Sequence, residues 1–387
     1  MPLVNNFLTA YQLAGKEPFF PLNLCFCPDC GLVQLAEVVN PEIMFKKYLY
    51  ISSFSKTMSK HFSQLAHNIV KNFKLNKNSL VVELGSNDGT LLEFFKKEGV
   101  KILGVDPASN LAKIANAKGI ETIDDFFNQK TVEKILKEKG RADIILGTNV
   151  FAHIDNLHDV VLGVKKLLKN NGVFIAEFPY LLNLIENNEF DTVYHEHLSY
   201  FALKPLIILF QKFGLELFDA EKTTVHGGSI IIYAKKNDSK PHPSQRLKNM
   251  IKEEKEKNIY SLRTYLEFAK RVKKNTTELV TLLKNLKKRH KKIIGFGAPA
   301  KGVILLNYCK IGPDILAYLT DNIFYKQGLY SPGTHIQILP EEIIAQDKID
   351  YILILPWNFS KEIIQKLAPF RKKGGKIIIP IPSVTVL

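Results

Sequence analysis

Short apolar runs alternate with amphipathic stretches through the middle of the chain. Five runs rich in β-branched residues predict buried strands at residues 80–82, 101–105, 143–146, 173–176 and 229–233. Between them, residues 91–97, 110–117 and 156–168 carry apolar side chains at helical spacing. Alternation of strand and helix is typical of a parallel, doubly wound sheet, so we predict an α/β domain over residues 75–234.

The same alternation returns near the C-terminus. Four further runs predict strands at residues 293–296, 315–319, 351–355 and 376–380, which indicates a second, smaller Rossmann-like α/β domain over residues 293–387. Residues 235–292 are Lys-rich with few strand formers and predict a basic helical connection. Residues 1–74 form an N-terminal segment in which Asn40 and Pro41 give a helix-start signal.

Composition adds a large positive charge to this picture. The chain has 387 residues and a formal net charge of +15, which favours a nucleic-acid partner. However, residues 235–292 hold 15 Lys and 4 Arg against 6 acidic residues, so most of the excess lies on the helical connection. Only 6 residues of the whole chain are Arg, and no nucleic-acid-binding motif is present. We therefore expect a solvated helix face and no nucleic-acid partner.

The sequence also favours a cytoplasmic protein. No apolar stretch approaches the roughly 20 residues that span a bilayer, and no signal-peptide pattern opens the chain, so we expect no membrane partner. Three of the four cysteines lie within six residues of one another (25, 27 and 30), which is unlike a secreted disulfide framework. The oligomeric state is not indicated by any pattern.

A Gly-rich turn follows the first predicted strand and opens a helix, with its polar and glycine positions at Glu83, Gly85, Asn87, Asp88 and Gly89. The spacing is not that of the dinucleotide fingerprint. Its glycines still allow a ligand to approach the backbone at the carboxyl end of a strand.

Acidic residues end the next two predicted strands. Asp106 lies about 20 residues further on, where a carboxylate can accept hydrogen bonds from ribose hydroxyls, and Asp124 or Asp125 could contact an adenine amino group. Together with the Gly-rich turn, this set resembles the class I methyltransferases that use S-adenosylmethionine (SAM); a dehydrogenase is the alternative.

An ionisable cluster occupies residues 194–200, where Tyr194, His195, Glu196, His197 and Tyr200 lie within seven positions. An extended chain places His195 and His197 on one face, whereas a helical one places Tyr194 beside His197 at i, i+3. A His-x-His pair with Glu is also compatible with a metal site.

At this point the whole chain resembles the sugar C-methyltransferases that act on nucleotide-linked keto-deoxysugars. The matching motifs are distributed in order along it, at residues 27–34, 83–90, 149–154, 194–201, 226–229, 295–302, 307–309, 331–335 and 355–358. The resemblance implies an N-terminal zinc-binding segment, a SAM-binding domain and a C-terminal α/β domain that helps to bind the nucleotide-sugar.

The resemblance also implies roles for individual residues. It makes His197 the base and places four further side chains in its pocket: Tyr48, Tyr194, Glu196 and His153. Asn149 joins the SAM site, and the substrate-binding positions are His226, Gly297, Pro299 and Lys301. The chemistry agrees, because methylating carbon requires removal of a proton beside a ketone, and a neutral imidazole is a suitable base at pH 7. Lys301 near a predicted helix start is a plausible anion site.

The zinc-binding segment is incomplete in this sequence. Cys27 and Cys30 form one Cys-x-x-Cys unit, whereas a structural zinc site needs four ligands. The resemblance puts the other Cys-x-x-Cys unit upstream of Met1. A late-called start codon or a truncated reading frame would explain its absence, and genuine loss of the site is the alternative. We therefore expect this chain to bind zinc poorly.

These observations predict an enzyme that transfers a methyl group from SAM to a carbon, C3, of a nucleotide-linked 4-keto-deoxyhexose. Two alternatives remain open. One is methyl transfer to oxygen or nitrogen of a related sugar or small molecule, and the other is a non-catalytic binding protein.

Overall fold

The computed structural model describes residues 1–46, 48, 51–54, 56–237 and 242–387. Its largest sheet has seven strands: β3 Leu80–Leu84, β4 Lys101–Asp106, β5 Thr122–Asp124, β6 Ala142–Thr148, β7 Leu168–Pro179, β9 Leu215–Thr223 and β10 Ser229–Lys236. Across the sheet they lie in the order β5-β4-β3-β6-β7-β10-β9. The predicted doubly wound sheet is thereby confirmed, with an antiparallel edge formed by β9 and β10.

The five central strands β3 to β7 are parallel, so all of their carboxyl ends meet at one edge of the sheet. In an open parallel sheet this edge is where ligands bind. Strand β9 was missing from the prediction because its apolar residues are separated by polar ones, Glu216, Asp219, Glu221 and Lys222, which weakens the strand signal.

Helices cover both faces of this sheet. Their bounds are α3 Thr90–Lys97, α4 Ser109–Ala117, α5 Gln129–Glu138, α6 Leu157–Leu167, α7 Leu181–Glu186 and α8 Leu203–Lys212. Helices α3, α4 and α6 agree with the prediction. Helix α5 was not predicted, because it buries only Thr131, Val132 and Ile135 within a charged stretch.

The C-terminal unit is built on a second sheet. Its strands are β11 Ile293–Phe296, β12 Leu319–Thr320, β13 Ile338–Leu339, β14 Tyr351–Ile354, β15 Lys376–Ile379 and β16 Thr385–Val386, and its helices are α11 Ala300–Cys309, α12 Ile343–Gln346, α13 Ser360–Lys366 and α14 Ala368–Lys372. The strands lie in the order β13-β12-β11-β14-β15-β16. The prediction of a strand over 315–319 was wrong in extent. Ile315 and Leu316 are buried, but their amides bond back to the Gly312 carbonyl in a turn.

The helical connection consists of α9 Gln245–Glu256 and α10 Leu262–Lys288. Its sequence is Lys-rich, yet each helix buries an apolar stripe, so both are packed elements of the fold. Glu254 in α9 is fully buried and accepts hydrogen bonds from the hydroxyls of Tyr180 and Tyr260 and from the amide of Leu203. This carboxylate ties the connection to the methyltransferase-like sheet.

The N-terminal segment lies between the two α/β units. It contributes β1 Leu24–Phe26, β2 Val33–Leu35, α1 Pro41–Phe45 and α2 Lys56–Asn72, and β2 pairs with β8 Ser199–Tyr200. Asn40 caps α1 through its side chain, as its sequence predicted. Leu8 exchanges two backbone hydrogen bonds with Tyr330 of the C-terminal unit. Among the described residues, no helix is both long and apolar enough to cross a bilayer.

Replacing Glu254 by Leu is expected to lower the free energy of unfolding by about 3 kcal/mol, because two hydroxyls and an amide lose a buried charged acceptor. The matched control is Glu253→Leu, which removes only a partly exposed ion pair with Lys222, a change of about 0–1 kcal/mol. Denaturant unfolding followed by circular dichroism measures both. Equal losses in the two variants would contradict the assigned role of Glu254.

Candidate active site

One cavity of about 480 Å³ opens at the carboxyl ends of the parallel strands. Its lining follows the strand order of the sheet, from the loop after β5 to the segments after β4, β3 and β6. It is also lined by His153 after β6, by side chains from the His-rich segment and by side chains from the N- and C-terminal parts of the chain: Tyr194, His197, Tyr48 and Lys301. The structure therefore brings both groups of predicted residues to one site.

The Gly-rich turn forms the floor of the cavity. Gly85 has a φ of +62°, and a Cβ there would lie 2.7 Å from the Val150 side chain, so only glycine fits without strain. Asn87 also has a positive φ, and its side-chain oxygen accepts from the amide of Ser52. Glu83, Gly85 and Asn87 all line the cavity, as does Asn149 after β6.

Two buried carboxyl groups give this end of the cavity its chemistry. Asp106 accepts hydrogen bonds from the amides of Asn87 and Ala108 at 2.7 and 2.8 Å, and burial raises its pKa to about 6. Burial, with Asp106 and Asp88 nearby, raises the pKa of Glu83 well above its usual range. One Glu83 oxygen is buried without a hydrogen-bond partner among the described residues.

These features fit SAM. A carboxylate at the end of β4 suits the ribose hydroxyls, and an unsatisfied carboxyl oxygen beside Gly85 suits the cationic amino-acid part of the molecule. Phe126, Phe127 and Asn128 line the cavity after β5, and the two phenylalanines offer aromatic surface to the adenine.

Three predicted cofactor residues lie outside the cavity lining. Asp88 is fully buried and accepts from the Thr90 hydroxyl and from Lys118, so it holds the turn together. Gly89 has a positive φ next to Ile120 and allows the helix to start. The Asp125 carboxylate accepts from the amide of Phe126, which itself lines the cavity.

The His-rich segment forms a turn, in which the amide of His197 bonds to the carbonyl of Tyr194. The turn places Tyr194 beside His197, as the i, i+3 arrangement predicted and the extended one did not. Their ring centroids lie 4.0 Å apart. His195 points elsewhere, because its Nε2 donates to the carbonyl of Pro21. The two imidazoles therefore do not converge on a metal.

His197 is held in one tautomer. Its Nδ1 lies 2.8 Å from the carbonyl oxygen of Thr192, and a carbonyl can only accept, so Nδ1 carries the proton. In the neutral ring Nε2 then carries the lone pair, as a general base requires. His153 lies beside it with ring centroids 5.1 Å apart and stacks on Phe45 at 5.7 Å. Burial lowers the pKa of His153 to about 4, so that ring is neutral at pH 7.

Glu196 lies behind the cavity wall, and Tyr48 connects it to the cavity. Tyr48 lines the cavity and its hydroxyl donates to Glu196 at 2.8 Å, while the Asn5 amide donates to the other carboxylate oxygen at 2.6 Å. Burial raises the pKa of Glu196 to about 7, and the two hydrogen bonds oppose that rise.

The C-terminal unit contributes Lys301 from the first turn of α11. Lys301 is the only Lys or Arg in the described lining of the cavity; its Nζ lies 3.6 Å from Glu189 and 4.9 Å from the centre of the Trp357 ring. Trp357 donates to the buried Asp191, whose pKa burial raises to about 7. These contacts join the two α/β units at the cavity.

Gly297 and Pro299, two of the other predicted substrate residues, do not line the cavity. Gly297 has a positive φ and a Cβ there would meet Pro356, and Pro299 is the N-cap of α11, so both shape the turn that presents Lys301. The side chain of His226 lies outside the described part of the chain.

The described residues do not fit a zinc site. They contain no group of three or more His, Cys, Asp or Glu side chains arranged to hold a metal ion. Cys27 and Cys30 supply two thiols where four ligands are needed.

Several residues of the site carried no signal in the sequence. Asn5 lies 191 positions before Glu196, Thr192 acts through its backbone, and Phe45 and Phe126 are ordinary aromatic positions. Only the folded chain brings them to the cavity.

A parallel sheet with a Gly-rich turn, an acidic residue after the second strand and a cavity shared with a buried histidine define a SAM-dependent methyltransferase. Comparison with known families agrees. Residues 58–220 match a methyltransferase domain, residues 224–382 a C-methyltransferase C-terminal domain, and residues 1–45 a "putative zinc binding domain".

The chain belongs to the C-methyltransferase family and is a SAM-dependent enzyme of that family. C-methyltransferase NovU from Streptomyces niveus is 38% identical over 386 residues, which cover 100% of this chain and 92% of that protein. A ubiquinone biosynthesis O-methyltransferase from Pelagibacter ubique is 28% identical over 29% of this chain and 50% of its own length. Magnesium protoporphyrin IX methyltransferase from Synechocystis covers 46% of this chain and 81% of its own at 15% identity, with a TM-score of only 0.36.

Replacing Asp106 by Ala is expected to weaken SAM binding roughly 10- to 100-fold, because hydrogen bonds to a charged acceptor contribute about 1.5–3 kcal/mol. Calorimetry measures the dissociation constant. In the unaltered chain, affinity should fall as the pH drops through about 6, where Asp106 takes up a proton and loses acceptor capacity.

The control for this variant is Glu121→Ala, an exposed carboxylate at the amino end of β5 that pairs with Lys139. It should bind SAM like the parent. Unchanged affinity in Asp106→Ala would exclude Asp106 from the SAM site.

Proposed function

We propose that this enzyme transfers the methyl group of SAM to C3 of a nucleotide-linked 4-keto-deoxyhexose, with His197 removing the proton from that carbon. The observation that carries the proposal is the fixed tautomer of His197, whose Nδ1 donates to Thr192 and whose Nε2 is then the basic nitrogen. His197 lies in the same cavity as Gly85 and Asp106, where SAM fits.

Carbon is not nucleophilic until a proton beside a ketone has been removed. SAM supplies an electrophilic methyl group when bound, and the residues around it must create and hold the enolate. His197 takes the α-proton onto Nε2, and the sugar keeps the electron pair as the enolate, with negative charge on its oxygen. The enolate carbon then bonds to the methyl carbon as the bond from methyl to sulfur breaks.

The enolate oxygen needs hydrogen-bond donors directed at it. Tyr194 is adjacent to His197 and Lys301 lines the same cavity, whereas the Tyr48 hydroxyl donates its single proton to Glu196. The neutral ring of His153 adds no positive charge that would hinder proton removal by its neighbour. We place the nucleotide toward the C-terminal unit, on the side of the cavity that Lys301 lines.

A sugar substrate is supported by the motifs that this chain shares with sugar C-methyltransferases and by a basic side chain, Lys301, that the C-terminal unit adds to the cavity. We assign Lys301 and the turn at Gly297 and Pro299 to substrate binding, together with His226. The identity of the substrate is tested by incubating the chain with SAM and a panel of nucleotide-linked keto-sugars. A mass gain of one CH₂ on a 4-keto-deoxyhexose supports the proposal, and gain on other compounds only would contradict it.

Replacing His197 by Asn is expected to lower kcat for methyl transfer by at least about 10²-fold, because general base catalysis typically contributes 10²- to 10⁴-fold. SAM affinity should stay near that of the parent, since His197 acts on the other substrate. The matched control, His195→Asn, changes a histidine two residues away whose ring bonds to Pro21 instead. Equal loss of kcat in both variants, or none in His197→Asn, would exclude His197 as the base.

A further inference from the structure

Glu196 is a buried carboxylate with two specific donors. It is 5% exposed, and its two oxygens accept separately from the Tyr48 hydroxyl at 2.8 Å and from the Asn5 amide at 2.6 Å. Tyr48 reaches the cavity, whereas Asn5 does not line it. Among the described residues, the contact that joins Asn5 to the site is therefore the one with Glu196.

The position of Asn5 is set by the C-terminal unit. Its neighbour Val4 is 2% exposed and packs against Val303 and Ile304 of α11. Three residues later, Leu8 exchanges backbone hydrogen bonds of 3.0 and 2.8 Å with Tyr330. The strip of chain that carries Asn5 is thus fixed to the C-terminal unit on both sides of Asn5.

We propose that Asn5 is a positioning residue, whose amide holds the Glu196 carboxylate in the orientation that accepts from Tyr48, so that docking of the C-terminal unit completes the catalytic cavity. The consequence for catalysis rests on the proposed function, in which Tyr48 faces the reacting sugar. The contact between Asn5 and Glu196 does not depend on it.

Charge on Glu196 is sensitive to this contact. Burial raises its pKa to about 7, and the bonds from Tyr48 and Asn5 oppose that rise. The titratable groups on the elements around it are Tyr48, His153, Tyr194, His195, His197, Glu37 and the N-terminal ammonium. Of these, Glu37 and the ammonium act on His195. Removing the Asn5 donor destabilises the ionised form of Glu196 and so raises its pKa further.

The first test uses the full chain with Asn5→Leu, which is close to asparagine in shape but cannot donate. The matched control is Asn6→Leu at the adjacent, exposed asparagine. Ionised Glu196 is the form that holds Tyr48 most strongly, so its titration contributes to the acidic limb of the kcat profile beside that of the base His197. In Asn5→Leu the Glu196 contribution should move up by about one pH unit, the loss expected for one hydrogen bond to a charged group. KM for SAM should not change, and Asn6→Leu should match the parent.

A second variant, Asn5→Asp, keeps the shape of asparagine. It should move the acidic limb of the kcat profile to still higher pH, because two neighbouring carboxyl groups share one proton. The proposal is overturned if the acidic limb of the kcat profile does not move in either Asn5 variant, or if it moves by the same amount in Asn6→Leu.

The second readout needs no activity. When folding raises the pKa of a carboxyl group, the folded protein becomes less stable as the pH rises from the unfolded pKa of that group to its folded pKa, which is about 7 for Glu196. Asn5→Leu extends that loss to higher pH, so its melting temperature should fall further below that of the parent at about pH 8.5 than at about pH 6. If Asn5→Leu melts below the parent by the same amount at both pH values, the hydrogen bond from Asn5 does not stabilise ionised Glu196, and the proposal is overturned. If the parent methylates no keto-sugar, the proposed function fails while this readout still decides on Asn5.

Discussion

The hydrogen bond from His197 Nδ1 to the Thr192 carbonyl is the constraint on which the chemistry of this site depends. At 2.8 Å it fixes both the plane of the imidazole and the nitrogen that carries the lone pair. The other tautomer would have to break this buried bond and leave the carbonyl without its donor, which costs about 1–3 kcal/mol. In the proposed mechanism, His197 is therefore a base that is already oriented before substrate arrives.

Three parts of the chain are needed to build that arrangement. The central sheet supplies the proposed SAM side through Gly85 and Asp106, which line the cavity where the parallel strands end. The C-terminal unit supplies Lys301, and the N-terminal segment supplies Tyr48 together with Asn5 behind it. Isolated from the other two, the central domain would retain a cofactor site but would lack most of the walls around His197.

The sequence predicted the parts of the molecule that depend on local pattern. The strands before Gly85 and Asp106 follow from β-branched runs, and the turn at Tyr194–His197 was one of two arrangements that spacing allowed. Asn5 and Thr192 could not be predicted, because one acts over 191 residues and the other through a backbone carbonyl. The strand predicted over residues 315–319 was too long, because a buried turn and a buried strand give the same run of apolar residues.

The central claim is that His197 forms an enolate before any methyl group moves. The most direct measurement is the nuclear magnetic resonance signal of the substrate's α-proton in heavy water, with the chain bound to the demethylated product of SAM so that methyl transfer is impossible. The account predicts that the signal at C3 of a nucleotide-linked 4-keto-deoxyhexose disappears with the parent chain and persists with His197→Asn. The account is contradicted if the α-proton signal persists with the parent chain although that chain methylates the same sugar. It is also contradicted if the signal disappears equally with the parent and with His197→Asn.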